Sequence, residues 1–383
     1  NWDIMQRIYY DYASTTHPDP RVIEAMEPYF YTRFGNPASP HAFGREAQKA
    51  MEDARQGVAR SIGAQPEEII FNSGATEGNN HALLGIARSL KDKGKHIVLS
   101  AIEHHSIEAP AAYLAKEGYK ITYLPVSREG LVDPQQVQDT ITNETILVAV
   151  MHANNEIGTI EPVAKAGKIA RAKGIPFLVD AVQTVGHIPV NVDDLGADLL
   201  TMSAHKFYGP KGVGALYVRR KTKIAPFLLG GDQEKGRRAS TQNTGGAIGL
   251  AKALELCLEN MSQEITTQTK LRDQLLTEVP KRITGVVING HRTSRLPNNA
   301  HFAFEKVSGE SLLMSLDMAG ICASMGSACK AGAMEPSRIL LAIGLSGELA
   351  HGALRVTIGR WTTQAHIDHL LEKLPIAVRN LRV

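Results

Sequence analysis

Asp198–Arg219, DLLTMSAHKFYGPKGVGALYVR, reads as two short apolar strands, Asp198–Ser203 and Val213–Val218, joined by a loop that Gly209, Pro210 and Gly212 punctuate. Lys206 therefore stands just past a strand end. An amine shielded from water there has a lowered ammonium pKa and is free to condense with an aldehyde cofactor. Ser203 and His205 flank it with a hydroxyl and an imidazole, donors of the kind that hold a phosphate while the lysine holds the aldehyde carbon. Taken alone, the same four residues read more often as a solvated turn, so the cofactor reading needs its other parts elsewhere in the chain.

Working outward, strands are expected at Glu68–Phe71, His96–Leu99, Lys120–Pro125, Thr145–Met151 and Pro176–Asp180. Helices are expected at Gly44–Ile62, Ser106–Glu117, Pro134–Ile141 and Pro162–Lys173. Alternation of this kind predicts an α/β fold with a mostly parallel sheet covered by helices on both faces. Ligands bind such sheets beyond the carboxyl ends of the strands, and the residues found there are polar: Glu103-His104-His105, His152-Ala153-Asn154-Asn155-Glu156, Asp180-Ala181-Val182-Gln183 and Ser203-Ala204-His205-Lys206. The strand before Asn72-Ser73-Gly74-Ala75-Thr76-Glu77-Gly78 runs straight into a helix. That arrangement turns unpaired N–H groups and the positive end of the helix dipole toward an anion, and the cofactor phosphate is assigned there. A tight turn that uses Gly74 for its dihedral angles is the plainer reading.

Together these groups suit pyridoxal 5'-phosphate. Asp180 can pair with the pyridinium nitrogen, Asn155 and Gln183 offer amide donors to the ring hydroxyl, and His104 offers a flat face to stack on the ring. Each also has a structural reading, as turn former, helix cap or core residue, and His105 and His152 are left unassigned.

At 383 residues the chain exceeds what one hydrophobic core usually supports, so two lobes are expected, 14–250 large and 251–383 small, with 1–13 as an N-terminal arm. The net charge of +3 is small and its basic runs are short, which argues against direct nucleic-acid binding. Three cysteines make no disulfide framework. No apolar run is long enough to cross a membrane, and a reducing cytoplasmic location is expected. Asn1-Trp2-Asp3 are given no function.

Beyond Val218, the polar loop Gly230–Asn243 has the length of a functional loop. Two helices, Gly246–Met261 and Gln263–Ile283, are expected to close the large lobe and open the small one, with Cys257 buried. The glycine-, serine- and alanine-rich stretch Ile321–Pro336 carries Cys322, expected buried at a strand end, and Cys329. A thiol in such a segment can reach a substrate, and free cysteine, with a pKa of about 8.5, is partly ionised near neutrality. Cys329 is the candidate nucleophile, and two cysteines are too few for a metal site, so no metal is expected. Arg355, in the apolar stretch Leu354–Ile358, needs a partner, and its planar guanidinium suits a bidentate grip on a carboxylate; Arg360 is read as structural.

The stretches YYDYASTT, GNPASPHAFG, FNSGATEGNN, EHHSI, MHANNEIGTIEPV, VDAVQTVG, SAHKFYGPKGVGALYVR, GGDQEKGRRASTQN, SMGSACKAG and RVTIGRWTT occur in the order found in the cysteine desulfurases. The chain resembles that family of class-V aminotransferase-like, fold-type I pyridoxal-phosphate enzymes along almost its whole length. The resemblance implies a large, mostly parallel seven-stranded domain with a smaller α+β domain. It implies Lys206 as the Schiff-base lysine, Asp180 on the pyridine nitrogen and His104 stacked on the ring and moving protons. Asn155 and Gln183 would meet the ring hydroxyl, and Ala75, Thr76, Ser203 and His205 the phosphate. Arg355, with Asn155, would hold the substrate carboxylate.

It further implies a homodimer in which Thr241 completes the phosphate site of the neighbouring subunit. The reaction implied converts L-cysteine to L-alanine and leaves a persulfide on Cys329 for a protein sulfur acceptor, a scaffold for iron–sulfur assembly or a thiolation protein. Two positions depart from the family pattern: Ser240 stands where glycine is usual before the threonine, and Met325 where a second serine is usual. A selenocysteine lyase, or another lyase or aminotransferase on the same scaffold, is the rival enzyme reading, and a docking scaffold that keeps the cofactor without turnover is the non-enzymatic one.

Overall fold

The computed structural model describes residues 7–326 and 336–382. Its twelve strands are β1 (Ile8–Tyr9), β2 (Ile69–Asn72), β3 (His96–Ser100), β4 (Lys120–Leu124), β5 (Thr145–Ala149), β6 (Phe177–Asp180), β7 (Leu199–Ser203), β8 (Gly214–Val218), β9 (Val286–Ile288), β10 (Asn299–Phe304), β11 (Ile321–Cys322) and β12 (Ala353–Thr357). Seven of them form one sheet in the order β2-β8-β7-β6-β5-β3-β4. The pairs β3–β4, β3–β5, β5–β6 and β6–β7 are parallel, while β8 runs antiparallel to both β7 and β2. The carboxyl ends of β2, β3, β5, β6 and β7 therefore lie along one edge.

Residues of period two divide between the sheet's faces. Val98, Val148, Val179, Leu200 and Met202 join one buried cluster with Met51, Val58 and Leu250 from the helices Ala42–Ser61 and Thr244–Arg282. Ile97, Leu99, Leu147, Leu178 and Leu199 join another with Leu83, Ile86 and Ile107 from the helices Ala75–Ser89 and His105–Lys116. With both faces covered, the inner strands are continuously apolar; the edge strand β4 is only partly covered and exposes Lys120 and Tyr123.

A second sheet, β12-β10-β9, is antiparallel. Its Phe302, Phe304, Leu354 and Val356 pack with Leu271 and Leu275 of Thr244–Arg282 and with Leu371 and Leu374 of the final helix, Gln364–Leu381. The N-terminal arm joins this cluster through Tyr10, pairs with β11 through β1, and bridges Asp11 to Thr357.

One expectation is corrected. Thr244–Arg282 is one helix of 39 residues, not two, because no glycine or proline stands between Met261 and Gln263 to break it. The helix Pro20–Met26 ends before Pro28 starts another short one, since proline removes the donor that would continue the first. The short helices Arg338–Ala342 and Gly347–His351 are separated by Gly344 in the left-handed region.

Candidate active site

Strand β7 ends at Ser203 and the chain turns through Ala204–Lys206, where His187 Nε2 fixes the main chain at 2.8 Å from Lys206 O. Lys206 points back across the sheet edge to the arm, and its Nζ donates to Ala13 O and Ser14 O, each at 2.7 Å. Burial, and then the charge of Arg355, lowers its pKa to about 8, with Asp11 and Asp180 opposing the shift.

Beside it, β2 leads through Asn72–Gly74 into the helix Ala75–Ser89. Asn72 Oδ1 takes the Gly74 N–H at 3.0 Å, and Glu77 Oε2 takes that of Ser73 at 2.9 Å. Gly74 itself has φ +146°, and a Cβ there would stand 3.4 Å from Ser203 Oγ. No side chain caps this helix, so its first N–H groups face a hollow that Thr76, Ser203 and His205 also line. Burial pushes the His205 imidazole down to about 4, reinforced by Lys206 and Lys211, so the ring is neutral. Its Nδ1 lies 3.0 Å from Thr15 Oγ1.

Asp180 ends β6, buried. Its Oδ1 accepts from Val182 N at 3.0 Å and its Oδ2 from Asn79 Nδ2 at 2.9 Å. Asn79 is fixed in turn by Ser106 Oγ and Thr201 Oγ1, each at 2.8 Å. Across the hollow, His104 caps the helix His105–Lys116: its Nδ1 accepts from Ser106 N at 3.1 Å, which leaves Nε2 as the protonated nitrogen of the neutral ring. Burial lowers its pKa, the nearby Asp180 carboxylate opposes, and Lys206 adds to the lowering. Gln183 Nε2 donates to Ala13 O at 3.0 Å.

Lys206, His104, Asp180, Asn155, Gln183, Ser203, His205, Ala75 and Thr76 thus share one cavity of about 410 Å³. Arg355, 2% exposed, lies behind Asn155. Its Nη1 donates to Asn155 O at 2.8 Å and Gly326 O at 3.1 Å, and its Nη2 to Asp11 Oδ1 and Ser14 Oγ, both at 2.7 Å.

Other expected residues lie elsewhere. Thr241, expected at a neighbouring subunit's site, is exposed on the loop between β8 and the long helix and does not line this cavity. Ser240 beside it adopts φ +95°, the region glycine favours, so the loop keeps its left-handed bend despite the side chain. Cys329 lies outside the described residues. Cys322 does end a strand, but it is half-exposed rather than buried, with Sγ 3.7 Å from Asp317 Oδ1. Among the described residues no three His, Cys, Asp or Glu side chains cluster to hold a metal. His152 is buried against Thr184, and His105 is exposed. Arg360 bridges Asp19 and Glu264 at 2.7 and 2.6 Å.

The arm's part in the site is not visible in the sequence. Asp11, Ala13, Ser14 and Thr15 hold Arg355, Lys206 and His205, and Asn79 anchors Asp180. The polar run Asp11–Thr16 was the available signal, but nothing local says that an N-terminal arm crosses residues two hundred positions later.

The Aminotransferase class-V family model matches residues 8–370. The chain is 52% identical over 377 residues to a protein named cysteine desulfurase IscS from Dictyoglomus turgidum, a match covering 98% of this chain and 96% of that one. Among solved structures, a NifS-like protein superposes with TM-score 0.92 at 35% identity, covering 98% of this chain and all of that one. A structure described as SspA in complex with cysteine superposes with TM-score 0.82 at 33% identity, covering 93% of this chain and 99% of that one.

Proposed function

This chain belongs to the class-V aminotransferase family as a pyridoxal-phosphate-dependent cysteine desulfurase, and from that premise we propose the part each side chain plays in taking sulfur from L-cysteine. When bound, pyridoxal 5'-phosphate supplies a ring that draws negative charge away from the substrate α-carbon. Lys206 Nζ would hold the cofactor aldehyde carbon, and as a free amine it is the base placed to take the α-proton. Its lowered pKa supports both tasks, since each needs a free amine.

The uncapped helix start at Ala75 and Thr76, with Ser203 and His205, receives the phosphate. Gly74 supports this fit, because a side chain there would approach Ser203 Oγ within the hollow. Asp180, held by Asn79 and Val182, would keep a proton on the pyridine nitrogen. His104 would lie against the ring face and, through Nε2, carry protons. Asn155 and Gln183 would meet the ring hydroxyl, and Arg355, with Asn155, would grip the substrate carboxylate.

Cys329 thiolate then attacks the substrate sulfur. A sulfur–sulfur bond forms as the carbon–sulfur bond breaks, the carbon is protonated, and L-cysteine plus the thiol becomes L-alanine plus a persulfide. A protein acceptor, serving iron–sulfur assembly or thiolation, removes that sulfur. We further infer a homodimer in which Thr241 reaches the phosphate site of a second copy. Phe30, Phe34 and Leu229, at 66%, 65% and 84% exposed, support a covered face near that loop. The division into 14–250 and 251–383 and a cytoplasmic location belong to this proposal. No helix among the described residues is long and apolar enough to cross a membrane.

The single observation that carries the reading is the convergence of a buried low-pKa lysine, Asp180 and the uncapped helix start on one cavity. The deciding assay is release of alanine and sulfide from L-cysteine with a reductant, comparing the parent with Cys329→Ala. Loss of sulfide in the variant supports the assignment; undiminished turnover moves the reading to a lyase that needs no protein thiol.

A further inference from the structure

We propose that His301 is a positioning residue for recognition of the substrate carboxylate: its ring, with the acceptor nitrogen taken by Asn289, backs Arg355 and leaves the guanidinium to the cavity. The period-two pattern of β10 and β12 sets this up. Ala300 and Phe302 of β10, opposite Val356 and Leu354 of β12, point into the apolar cluster that holds Leu371 and Leu374. Asn299 and His301, opposite Thr357 and Arg355, therefore point the other way. Directly opposed side chains on one face stand about 5 Å apart at Cβ, so His301 and Arg355 are neighbours.

This second face is the one that meets the site. Asn299 Nδ2 donates to Glu156 O, next to Asn155, at 3.0 Å, and Thr357 Oγ1 accepts from Ala13 N at 3.0 Å. His301, fully buried, turns instead to Asn289, which follows β9. Asn289 N donates to His301 O at 3.0 Å, and Asn289 Nδ2 lies 3.1 Å from His301 Nδ1. The orientation of the amide is set from its far side. Asn289 Oδ1 faces Arg128 Nη1 and Nη2 at 3.5 and 3.4 Å, both donors, so the NH2 group is the one turned to the ring.

His301 Nδ1 is thus the acceptor and Nε2 carries the hydrogen. Burial, then Arg355 and Arg295, pushes the imidazole down to about 3, with the Met325 main chain opposing, so the ring is uncharged at neutral pH. A neutral imidazole has one acceptor nitrogen, and here it is occupied. The ring beside Arg355 therefore neither repels the guanidinium nor offers it a hydrogen bond. An anion in the same place would draw the side chain back against the sheet, because a buried cation pairs with a carboxylate in reach. With His301 there, the Nη groups make their hydrogen bonds to Asp11, Ser14 and Asn155 O, where a substrate carboxylate arrives. His301 does not itself line the cavity, so it acts through Arg355.

The inference rests on Arg355 holding the carboxylate, and the test separates the two. L-Alanine and ethylamine differ only by that carboxylate, and the change each causes in the cofactor absorbance of the holoenzyme gives its dissociation constant. The ratio of the two constants is measured in the parent, Arg355→Lys, His301→Ala, His301→Asn and His301→Asp. The last two side chains are nearly isosteric and both can accept from Asn289, so their comparison isolates the effect of an anion behind Arg355. His301→Asp is expected to weaken L-alanine about tenfold or more, and His301→Ala, which removes the ring, about fivefold, while ethylamine stays within about threefold. His301→Asn stays within about threefold for both. A parent ratio in His301→Asp or in His301→Ala overturns the inference, as does equal weakening of both ligands, which marks a general structural role; His301→Ala decides by itself should the aspartate variant not fold. A parent ratio in Arg355→Lys overturns the carboxylate assignment of Arg355, and this inference falls with it.

Discussion

Arg355 Nη2 stands 2.7 Å from Asp11 Oδ1, a pairing across 344 residues that gives the buried guanidinium a counter-ion from the N-terminal arm. Both Nη nitrogens are fully engaged, and among the described residues the Nε–H has no partner. A substrate carboxylate gripped by Arg355 must displace an existing acceptor, and Asp11 is the one that competes as an anion.

Asp11→Asn keeps a hydrogen-bond acceptor and removes the competing charge. The KM for L-cysteine is expected to fall several-fold while kcat changes less. A KM that rises instead would show that Asp11 acts chiefly by holding Arg355 in place. Arg355→Lys, which loses the planar fork, should raise KM by about 10-fold to 100-fold, the worth of a hydrogen bond to a charged group.

If Lys206 takes the proposed role, its titration sets the pH dependence of cofactor loading. With its pKa near 8 rather than 10.5, about a quarter of the amine is free at pH 7.5, against about one part in a thousand for an unperturbed lysine. The sign is fixed by the nucleophile being the neutral form: the rate at which apoprotein takes up pyridoxal 5'-phosphate should climb about tenfold per pH unit below 8 and level off above it. Stopped-flow absorbance would read this, and a rate still climbing at pH 10 contradicts the lowered value.

Asn79 touches Asp180 without lining the cavity. Asn79→Ala leaves Asp180 Oδ2 without its side-chain donor and frees the carboxylate to turn. Equilibrium titration of the apoprotein should show cofactor affinity weakened by roughly tenfold, the scale of one charged hydrogen bond. Unchanged affinity would make Asn79 a packing residue only.

The loop bearing Thr241 is pinned at two points. Glu234 accepts from Arg55 Nη1 and Nη2 at 2.7 and 2.9 Å, with both residues buried, and Arg238 Nε donates to Glu77 Oε1 at 2.8 Å beside the phosphate hollow. Glu234→Ala leaves Arg55 with Glu52 at 3.3 Å as its remaining carboxylate and should cost about 3 kcal/mol, seen as a thermal midpoint lowered by several degrees. Ser240→Gly should act oppositely, relieving about 1 kcal/mol of left-handed backbone strain in the same melt. If Ser240→Gly lowers the midpoint, the extra freedom of glycine in the unfolded chain outweighs the strain.

Much of this protein is local in origin. Continuous apolar runs such as Ile97–Leu99 and Ile146–Val150 can only be buried strands, their alternation with helices dictates a covered parallel sheet, and the carboxyl ends of such strands point to Lys206, Asp180, His104 and Asn155. Gly74 between a strand and a helix is compatible with an anion site but reads as plainly as a tight turn. The motifs tying these residues to the cysteine desulfurases are equally local. What only the tertiary structure decided is which distant groups complete the site: Asp11 on Arg355, Ala13 and Ser14 on Lys206, and Asn79 on Asp180. Hydrophobic patterning specifies each element through its own residues. The meeting of an N-terminal arm with a strand 344 residues later depends on how finished elements pack, and no short stretch of the chain encodes that by itself.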